Sequence, residues 1–200
     1  MKSILTGVFS LFLSCVLFAQ TPVTGVKVGD KASDFNLKSV DGKMYSLSSF
    51  KKTKGYLVIF TCNHCPFSQA YEDRIIAIHK KYALKGIPVI AINPNDPERE
   101  EEDSYENMVK RAKLHNYPFV YLANPTQEIA KAYGAMRTPH VFLLDAQRTV
   151  KYIGAIDDNF EEPTQVKIKY LENALDAFLA GKPIEPSQTK AIGCGIKWKK

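Results

Sequence analysis

Cys62 and Cys65 are separated by Asn63 and His64 and are followed by Pro66. Two cysteines at this spacing can close a small disulfide ring with little backbone movement, and a helix that begins here would stabilise a thiolate through its positive end. We therefore predict a redox-active dithiol in which Cys62 attacks and Cys65 resolves. Asn63 and His64 would tune it, because an imidazole next to the thiolate stabilises the reduced form and makes the disulfide more oxidising.

Two other interpretations of the cysteine pair remain. It could be half of a metal site, with Cys194 and either His64 or His140 completing the ligands of a copper or zinc chaperone, although the second ligand pair that zinc normally requires is missing. A purely structural disulfide is disfavoured, because closing so short a loop removes little entropy from the unfolded chain. We predict a redox site without a metal.

The chain has four cysteines, and the two outside the pair have different surroundings. Cys15 lies in an apolar N-terminal run. Cys194 lies near the C-terminus between Gly193 and Gly195, which predict a flexible tail, and Trp198 could anchor that tail by burying its ring. Three interpretations of Cys194 stay open: an unpaired buried thiol, a third redox cysteine that reaches the pair from the tail, or a site of intermolecular bonding.

The composition is that of one ordinary globular domain. Of the 200 residues, 45% are hydrophobic and 24% are charged, with 11 glycines and 11 prolines, which excludes a disordered or collagen-like chain. The net charge of +6 is spread along the chain without a basic stripe, so we predict no nucleic-acid partner. No phosphate loop, dinucleotide fingerprint or serine elbow is present. We therefore predict no cofactor, with electrons supplied by a partner protein or a small thiol.

Residues 98–103 form an acidic block that only Arg99 interrupts. Acidic side chains near a helix start interact favourably with the helix dipole. We interpret the whole block as a solvated loop that leads into a helix.

The first 19 residues have the layout of a secretory signal peptide. Met1 and Lys2 precede an uncharged apolar run, and Ala19 offers a small residue at the cleavage site. We predict export to the periplasm or the outside of a bacterial-type cell, without stable membrane insertion after cleavage. An uncleaved anchor is the alternative, although the run is shorter than the about 20 residues that a membrane span needs. The rest of the chain divides into a leader at 20–28, a domain at 29–181 and a tail at 182–200.

Apolar runs and helical periodicities alternate along the domain. The uncharged run at 56–60 predicts a buried strand that leads directly into the cysteine pair. Apolar positions at helical spacing over 67–82 predict a long helix that begins at the pair. A hairpin is predicted at 35–37 and 44–47, with an Asp-Gly turn between its strands. Further strands are predicted at 89–92, 119–122, 141–144 and 150–154, and further helices at 103–115, 126–133 and 168–178. This alternation predicts an α/β sandwich, a mixed sheet flanked by helices.

Residues 136–140 read Met-Arg-Thr-Pro-His and precede a strand, a position where proline is tolerated and can carry a cis bond. With the cysteine pair, this segment resembles the thioredoxin-like superfamily, specifically its branch of exported redoxins, the alkyl hydroperoxide reductase/thiol-specific antioxidant (AhpC/TSA) and TlpA-like proteins. The resemblance spans roughly 28–179. The ending Gly-Cys-Gly-Ile-Lys-Trp at 193–198 resembles a peroxiredoxin-like subgroup that keeps the two-cysteine motif. The resemblance implies a thioredoxin-like sandwich with an N-terminal β-hairpin extension.

The resemblance also implies a role for each matching residue. Cys62 would be the nucleophile and Cys65 the resolving cysteine, and Pro139 would be a cis-proline that faces the disulfide. Thr138 would offer its backbone to an extended substrate segment, as in strand addition. The implied activity is thiol-disulfide exchange with exported proteins that carry disulfides or dithiols.

The chain departs from the family pattern in several places. Thr61 stands where thioredoxins carry a tryptophan, and the strand at 56–60 lacks the buried acid that takes up the proton of the second thiol. Glu72 or a water is the remaining candidate for that acceptor. Peroxide reduction, the alternative activity, requires Thr or Ser three residues before the attacking cysteine. Ile59 and Cys62 stand there instead.

Overall fold

The computed structural model describes residues 25–200, and its centre is a seven-stranded mixed sheet. The predicted signal peptide, Cys15 and the first part of the predicted leader lie outside the described residues. Within the described part of the chain, no helix has the length and apolar character needed to cross a bilayer.

Over residues 25–200, strands and helices follow one another in the order that the sequence patterns predict. The strands are β1 (Leu37–Ser39), β2 (Met44–Tyr45), β3 (Gly55–Phe60), β4 (Val89–Asn93), β5 (Val120–Ala123), β6 (Arg137–Thr138), β7 (His140–Asp145), β8 (Val150–Gly154) and β9 (Cys194–Gly195). The α-helices are α1 (Pro66–Ala83), α2 (Tyr105–Leu114), α3 (Glu128–Tyr133) and α4 (Tyr170–Leu179).

The strand β3, which carries no charged side chain, lies in the interior of the sheet, between β4 and β7. It pairs in parallel with β4 and antiparallel with β7, and all of its residues are buried. β5 extends the sheet in parallel beyond β4, the β1–β2 hairpin closes that edge, and β8 closes the other. A strand that is covered on both faces must be apolar throughout, which is why the sequence predicted β3 well.

Helices cover both faces of the sheet. Leu57 and Ile59 of β3 pack against α1 and α4. α2 covers the same face farther along, where it packs on Tyr121 of β5. The alternate side chains Val58 and Phe60 point to the opposite face, where α3 packs. The predicted thioredoxin-like α/β sandwich is confirmed.

The hairpin strands begin and end at residues that differ from the prediction because of one buried turn. Asp34 Oδ1 accepts the backbone N–H groups of Phe35 and Leu47, at 2.8 Å each. The first strand therefore starts two residues later than predicted. The second strand ends at Tyr45, because Leu47 begins a short 3-10 turn.

α1 begins at Pro66, directly after Cys65. Proline suits the first position of a helix, because it has no N–H group to satisfy and its φ is already helical. Cys65 is therefore the N-cap residue, with φ −71° and ψ 121°. The unpaired N–H groups of the first helical turn consequently surround Cys65.

The tail, residues 182–200, packs against the rest of the domain. Gln188 pairs with Ile153 of β8, and Ile196 is buried in the core on the α3 face. Between them, Cys194 lies in β9, which pairs antiparallel with β6. This corrects the interpretation of a flexible tail, since Gly193 lies close to the backbone of the partner strand.

Candidate active site

Three cysteines meet where β3 ends and α1 begins. Cys62 and Cys65 lie on the strand-to-helix turn, and β9 brings Cys194 from the tail. Thr138 connects them: its hydroxyl lies 3.1 Å from the Cys62 sulfur, its carbonyl oxygen lies 3.1 Å from the Cys65 sulfur, and its backbone pairs with Cys194. All three cysteines are free thiols.

Cys65 carries the best stabilised thiolate of the three. The hydrogen bond from the Cys62 thiol lowers the pKa of Cys65 to about 4, although burial acts in the opposite direction. The Cys194 thiol and the backbone N–H groups of Ser68 and Cys194 lower it further. When it is protonated, the Cys65 thiol can donate to the carbonyl oxygen of Thr138, 3.1 Å away.

Cys62 has a different environment from the one the sequence predicted. Its hydrogen bond to Cys65, its burial and the nearby Asp103 carboxylate raise the pKa of the Cys62 thiol, against a smaller lowering by the Thr138 hydroxyl at 3.1 Å. The sequence assigns the stabilised thiolate to Cys62, whereas the pKa directions favour Cys65, so the assignment of Cys62 stays a prediction. Because α1 begins at Pro66, the N–H groups of its first turn start directly after Cys65.

His64 connects the dithiol to a buried carboxylate. Its Nδ1 donates to Asp103 Oδ2 at 2.6 Å and lies 3.6 Å from the Cys62 sulfur, and its Nε2 is 3.7 Å from Glu100 Oε2. Asp103 is 3% exposed. It also accepts the backbone N–H of Asn63 at 2.6 Å. The carboxylate therefore holds both residues between the cysteines.

Two asparagines after β4 complete the surroundings of Asp103. The Nδ2 groups of Asn93 and Asn95 donate to its carboxylate at 3.1 and 2.7 Å. Sequence reasoning interpreted 98–103 as a solvated block, which is correct for the exposed Glu101 and Glu102 and wrong for Asp103. The sequence signal for this cluster was the presence of polar residues at the end of a buried strand, because ligand-binding sites form at the carboxyl ends of parallel strands.

Asn63 fixes the turn between the cysteines through its side chain and its backbone. Its Oδ1 accepts the hydroxyl of Tyr121 at 2.9 Å, and its Nδ2 donates to the carbonyl oxygen of Glu102 at 2.6 Å. Its own carbonyl accepts from Gln69 Nε2 at 2.7 Å. Asn63 is 4% exposed, so these bonds position the ring and do not face a partner.

Thr138 lies against the dithiol, and its bond to Pro139 is cis, as the resemblance implied. The Thr138 hydroxyl contacts Cys62 and its carbonyl contacts Cys65. The backbone edge of Thr138 was expected to be open to a substrate strand. In the structure it pairs with Cys194 of β9.

Glu72 is not placed to take up the proton of Cys65. Its carboxylate pairs with the guanidinium of Arg111, and His115 Nδ1 lies 2.8 Å from its Oε1. The groups that contact Cys65 are thiols, backbone groups of Ser68 and Cys194, and the carbonyl of Thr138. Glu72 therefore links α1 to α2, which is a structural role.

Replacing Arg111 with alanine tests this role. The buried Glu72 carboxylate would lose its main partner, so we expect the free energy of unfolding to fall by about 3 kcal/mol. The exposed Lys113 of the same helix provides the control, because Lys113→Ala should cost less than about 0.5 kcal/mol. Urea unfolding of the reduced proteins measures both, and a changed reduction potential in Arg111→Ala would contradict the structural role.

One group in the described part of the chain has the spacing of metal ligands. The ligand atoms of Cys62, His64 and Asp103 all lie within 4.8 Å of one another. The combinations expected from the sequence, with Cys194 or His140, do not form. Cys194 contacts Cys65, and burial lowers the pKa of His140 to about 4 where its Nδ1 accepts the N–H of Met136 at 3.4 Å.

Comparison with known proteins gives two relatives whose names describe redox activities. Thiol-disulfide oxidoreductase ResA of Geobacillus thermodenitrificans is 27% identical over 136 residues, which cover 66% of this chain and 72% of ResA. The chloroplastic peroxiredoxin Q of Triticum aestivum is 26% identical over 135 residues, which cover 64% of this chain and 58% of the relative. The chain thus spans less than two thirds of peroxiredoxin Q.

A solved structure extends the similarity to most of the chain. An uncharacterized conserved protein from Geobacillus kaustophilus superposes with a TM-score of 0.81 and 39% identity, over 86% of this chain and 93% of that one. The sequence model of the AhpC/TSA family matches residues 28–153, a span that includes the cysteine pair and Pro139 and ends before Cys194. With the thioredoxin-like fold, this match establishes that the chain belongs to the AhpC/TSA family.

Proposed function

We propose that this redoxin exchanges disulfides with protein partners through the dithiol of Cys62 and Cys65. The observation that carries the proposal is the placement of two free thiols, Cys62 and Cys65, at the start of α1, where each lies 3.1 Å from an oxygen of Thr138. A thiolate is the attacking species in disulfide exchange, and a second thiol in contact with it can close the ring.

The stabilised thiolate also indicates whether the site oxidises or reduces its partners. A lowered pKa favours the reduced dithiol over the disulfide, which raises the reduction potential. We expect a potential above the value of about −270 mV that is typical of thioredoxin. In that case the protein would oxidise or isomerise its partners in preference to reducing them.

The proposed partners are exported proteins. The first 19 residues have the layout of a signal peptide, and an oxidising compartment allows a dithiol to cycle with a disulfide. The name of the ResA relative supports the activity class. A donor or acceptor protein, or a small thiol, would complete each cycle.

Peroxide reduction is the second candidate function. The peroxiredoxin Q relative and the thiolate at Cys65 favour it. One feature disfavours it: Cys62 stands three residues before Cys65, where a peroxidase needs a hydroxyl.

Parallel assays on one preparation distinguish the two functions. We expect the reduced protein to exchange with the disulfides of insulin and to consume hydrogen peroxide no faster than the Cys62→Ser/Cys65→Ser double variant. The double variant should be inactive in the insulin assay. Peroxide consumption that exceeds insulin exchange would replace the proposal with a peroxidase, and a stoichiometric metal in the purified protein would replace it with metal binding.

A further inference from the structure

The backbone edge next to the dithiol is filled by the protein's own tail. In the antiparallel pair of β6 and β9, Thr138 lies opposite Cys194 and Arg137 lies opposite Gly195. An extended substrate would use this same edge of Thr138 for strand addition. The tail therefore occupies the position of a substrate strand.

Contacts on both sides of Cys194 hold the tail in this position. The Arg137 guanidinium donates to the carbonyl oxygen of Gly193 at 3.1 Å, and the Ile196 N–H donates to the carbonyl oxygen of Met136 at 3.3 Å. The next residue, Lys197, donates its N–H to Asn95 Oδ1 at 2.9 Å. Hydrogen bonds to the tail backbone on both sides of Cys194 thus set the position of its sulfur, and none of them involves the Cys194 side chain.

The strand pair brings Cys194 to the redox centre. Cys194 lies opposite Thr138, whose carbonyl oxygen is 3.1 Å from the Cys65 sulfur. The hydroxyl of the same threonine is 3.1 Å from the Cys62 sulfur. Burial and the neighbouring Cys65 thiol both raise the pKa of Cys194, in keeping with this placement.

Cys194 is more exposed to solvent than the other two thiols. Cys62 is 4% exposed and Cys65 is 0% exposed, whereas Cys194 is half-buried. Cys194 is therefore the most exposed of the three thiols, and Cys65 is covered.

We propose that Cys194 is a third redox cysteine, that the disulfide of this protein alternates between Cys62–Cys65 and Cys65–Cys194, and that partners exchange with the second form. This inference rests on the proposed function and adds the site at which the partner reacts. It also gives a role to a segment that lies outside the matched family span.

Each step is a thiol-disulfide exchange that balances without an external oxidant. A partner thiolate attacks the Cys194 sulfur of the Cys65–Cys194 disulfide, and Cys65 leaves with the electron pair as a thiolate. The second thiol of the partner then attacks the partner's sulfur in the mixed disulfide, and Cys194 leaves and takes the proton which that thiol gives up. The partner is oxidised to a disulfide, and the enzyme is left with a Cys65 thiolate and a Cys194 thiol.

Exchange within the protein connects this form to the Cys62–Cys65 disulfide. The Cys62 sulfur attacks Cys65 in the Cys65–Cys194 disulfide, so the Cys62–Cys65 bond forms and the Cys65–Cys194 bond breaks. Cys194 leaves and receives the proton that Cys62 loses. The lower the pKa of the leaving thiol, the faster it leaves, which favours release of Cys65 when a partner attacks Cys194.

Disulfide mapping in a Cys62→Ser variant is the direct test. After treatment with oxidised glutathione, we expect peptide mass spectrometry to find Cys65 linked to Cys194 and the loss of both free thiols. In Cys65→Ser we expect the glutathione adduct on Cys194. Separate glutathione adducts on Cys65 and Cys194 in Cys62→Ser, or an adduct only on Cys62 in Cys65→Ser, would overturn the inference.

Two glycines of the tail provide a matched pair that changes no thiol. A Cβ at Gly193 would collide with the carbonyl group of Thr138 and lie 3.1 Å from the Pro139 nitrogen, whereas a Cβ at Gly195 meets nothing within 4 Å. In the Cys62→Ser background, we expect Gly193→Ala to reduce the yield of the Cys65–Cys194 disulfide about tenfold, because it weakens the backbone bonds that align the two sulfurs. Gly195→Ala should leave the yield unchanged. Equal yields in the two variants would contradict a role for the β6–β9 pairing.

The outcome for Cys194 is separable from the outcome for the dithiol. If Cys194→Ser exchanges with insulin at the wild-type rate, the third cysteine has no redox role, while Cys62 and Cys65 keep theirs. If wild-type protein forms disulfides among its own cysteines but exchanges with no partner, the proposed function fails although the Cys65–Cys194 bond exists.

Discussion

Replacing Cys65 with serine is expected to abolish disulfide exchange. Cys65 is the thiol that contacts both Cys62 and Cys194, and it carries the lowered pKa of about 4. Without it, burial still raises the pKa of the two remaining thiols, and the Asp103 carboxylate adds to this effect at Cys62. We expect the insulin exchange rate to fall by more than about a thousandfold, the scale of losing a nucleophile.

The ultraviolet absorbance of the thiolate measures the same effect without a partner. In reduced wild-type protein, thiolate absorbance should persist into the acid range with a midpoint near pH 4, and Cys65→Ser should show no thiolate below neutral pH. Cys62→Ser is the control, because its hydroxyl can still donate to the Cys65 sulfur and the N–H donors remain. A low midpoint that survives in Cys65→Ser and disappears in Cys62→Ser would restore the sequence assignment of Cys62 as the thiolate.

The stability of the reduced protein should follow the same titration. The pKa of Cys65 is lowered from an ordinary value of 9.0 to about 4 on folding, so the unfolded chain binds more protons between these values. The contribution of Cys65 to the free energy of unfolding therefore rises with pH across this window and is lost as pH falls through about 4.

The sequence predicted the parts of the fold that depend on local patterns. The uncharged run of β3, the helical spacing behind Pro66 and the two-residue spacing of the cysteines are properties of neighbouring residues. Such patterns predict element type well and element ends less well. The choice between Cys62 and Cys65 as the thiolate depends on such an end, since one residue at the helix start decides which sulfur lies nearest the N–H donors.

Long-range contacts account for what the sequence could not predict. Asp103 is chemically like its exposed neighbours Glu101 and Glu102, and only the approach of Asn93 and Asn95 from the end of β4 makes it a buried acceptor. Considered alone, the two glycines that flank Cys194 predict a flexible backbone in the tail. The pairing of β9 with β6 gives Gly193 a packing role that no local pattern encodes.

Replacing Asp103 with alanine is expected to cause the largest loss of stability among the site residues. The substitution removes the acceptor for the backbone N–H of Asn63, the amides of Asn93 and Asn95, and His64. Each buried donor left without an acceptor costs about 1–3 kcal/mol, and water entering the space offsets part of that cost. We expect the free energy of unfolding to fall by about 3–5 kcal/mol. Glu101→Ala, an exposed acid in the same turn, is the matched control and should cost less than about 0.5 kcal/mol.

A more conservative substitution separates the electrostatic role of Asp103 from its structural one. Asn keeps one oxygen acceptor and removes the negative charge that contributes to the raised pKa of the Cys62 thiol. In Asp103→Asn the pKa of Cys62 should therefore fall. Because the loss of a negative charge beside the dithiol also stabilises a thiolate on either sulfur, the reduced form should gain stability relative to the disulfide and the reduction potential should rise. Each about 30 mV of increase corresponds to about 1.4 kcal/mol for this two-electron couple, so redox equilibration with glutathione can detect a change of this size. An unchanged potential together with a large loss of stability would mean that Asp103 only holds the turn in place. A raised potential would mean that its negative charge also lowers the reduction potential of the wild-type protein.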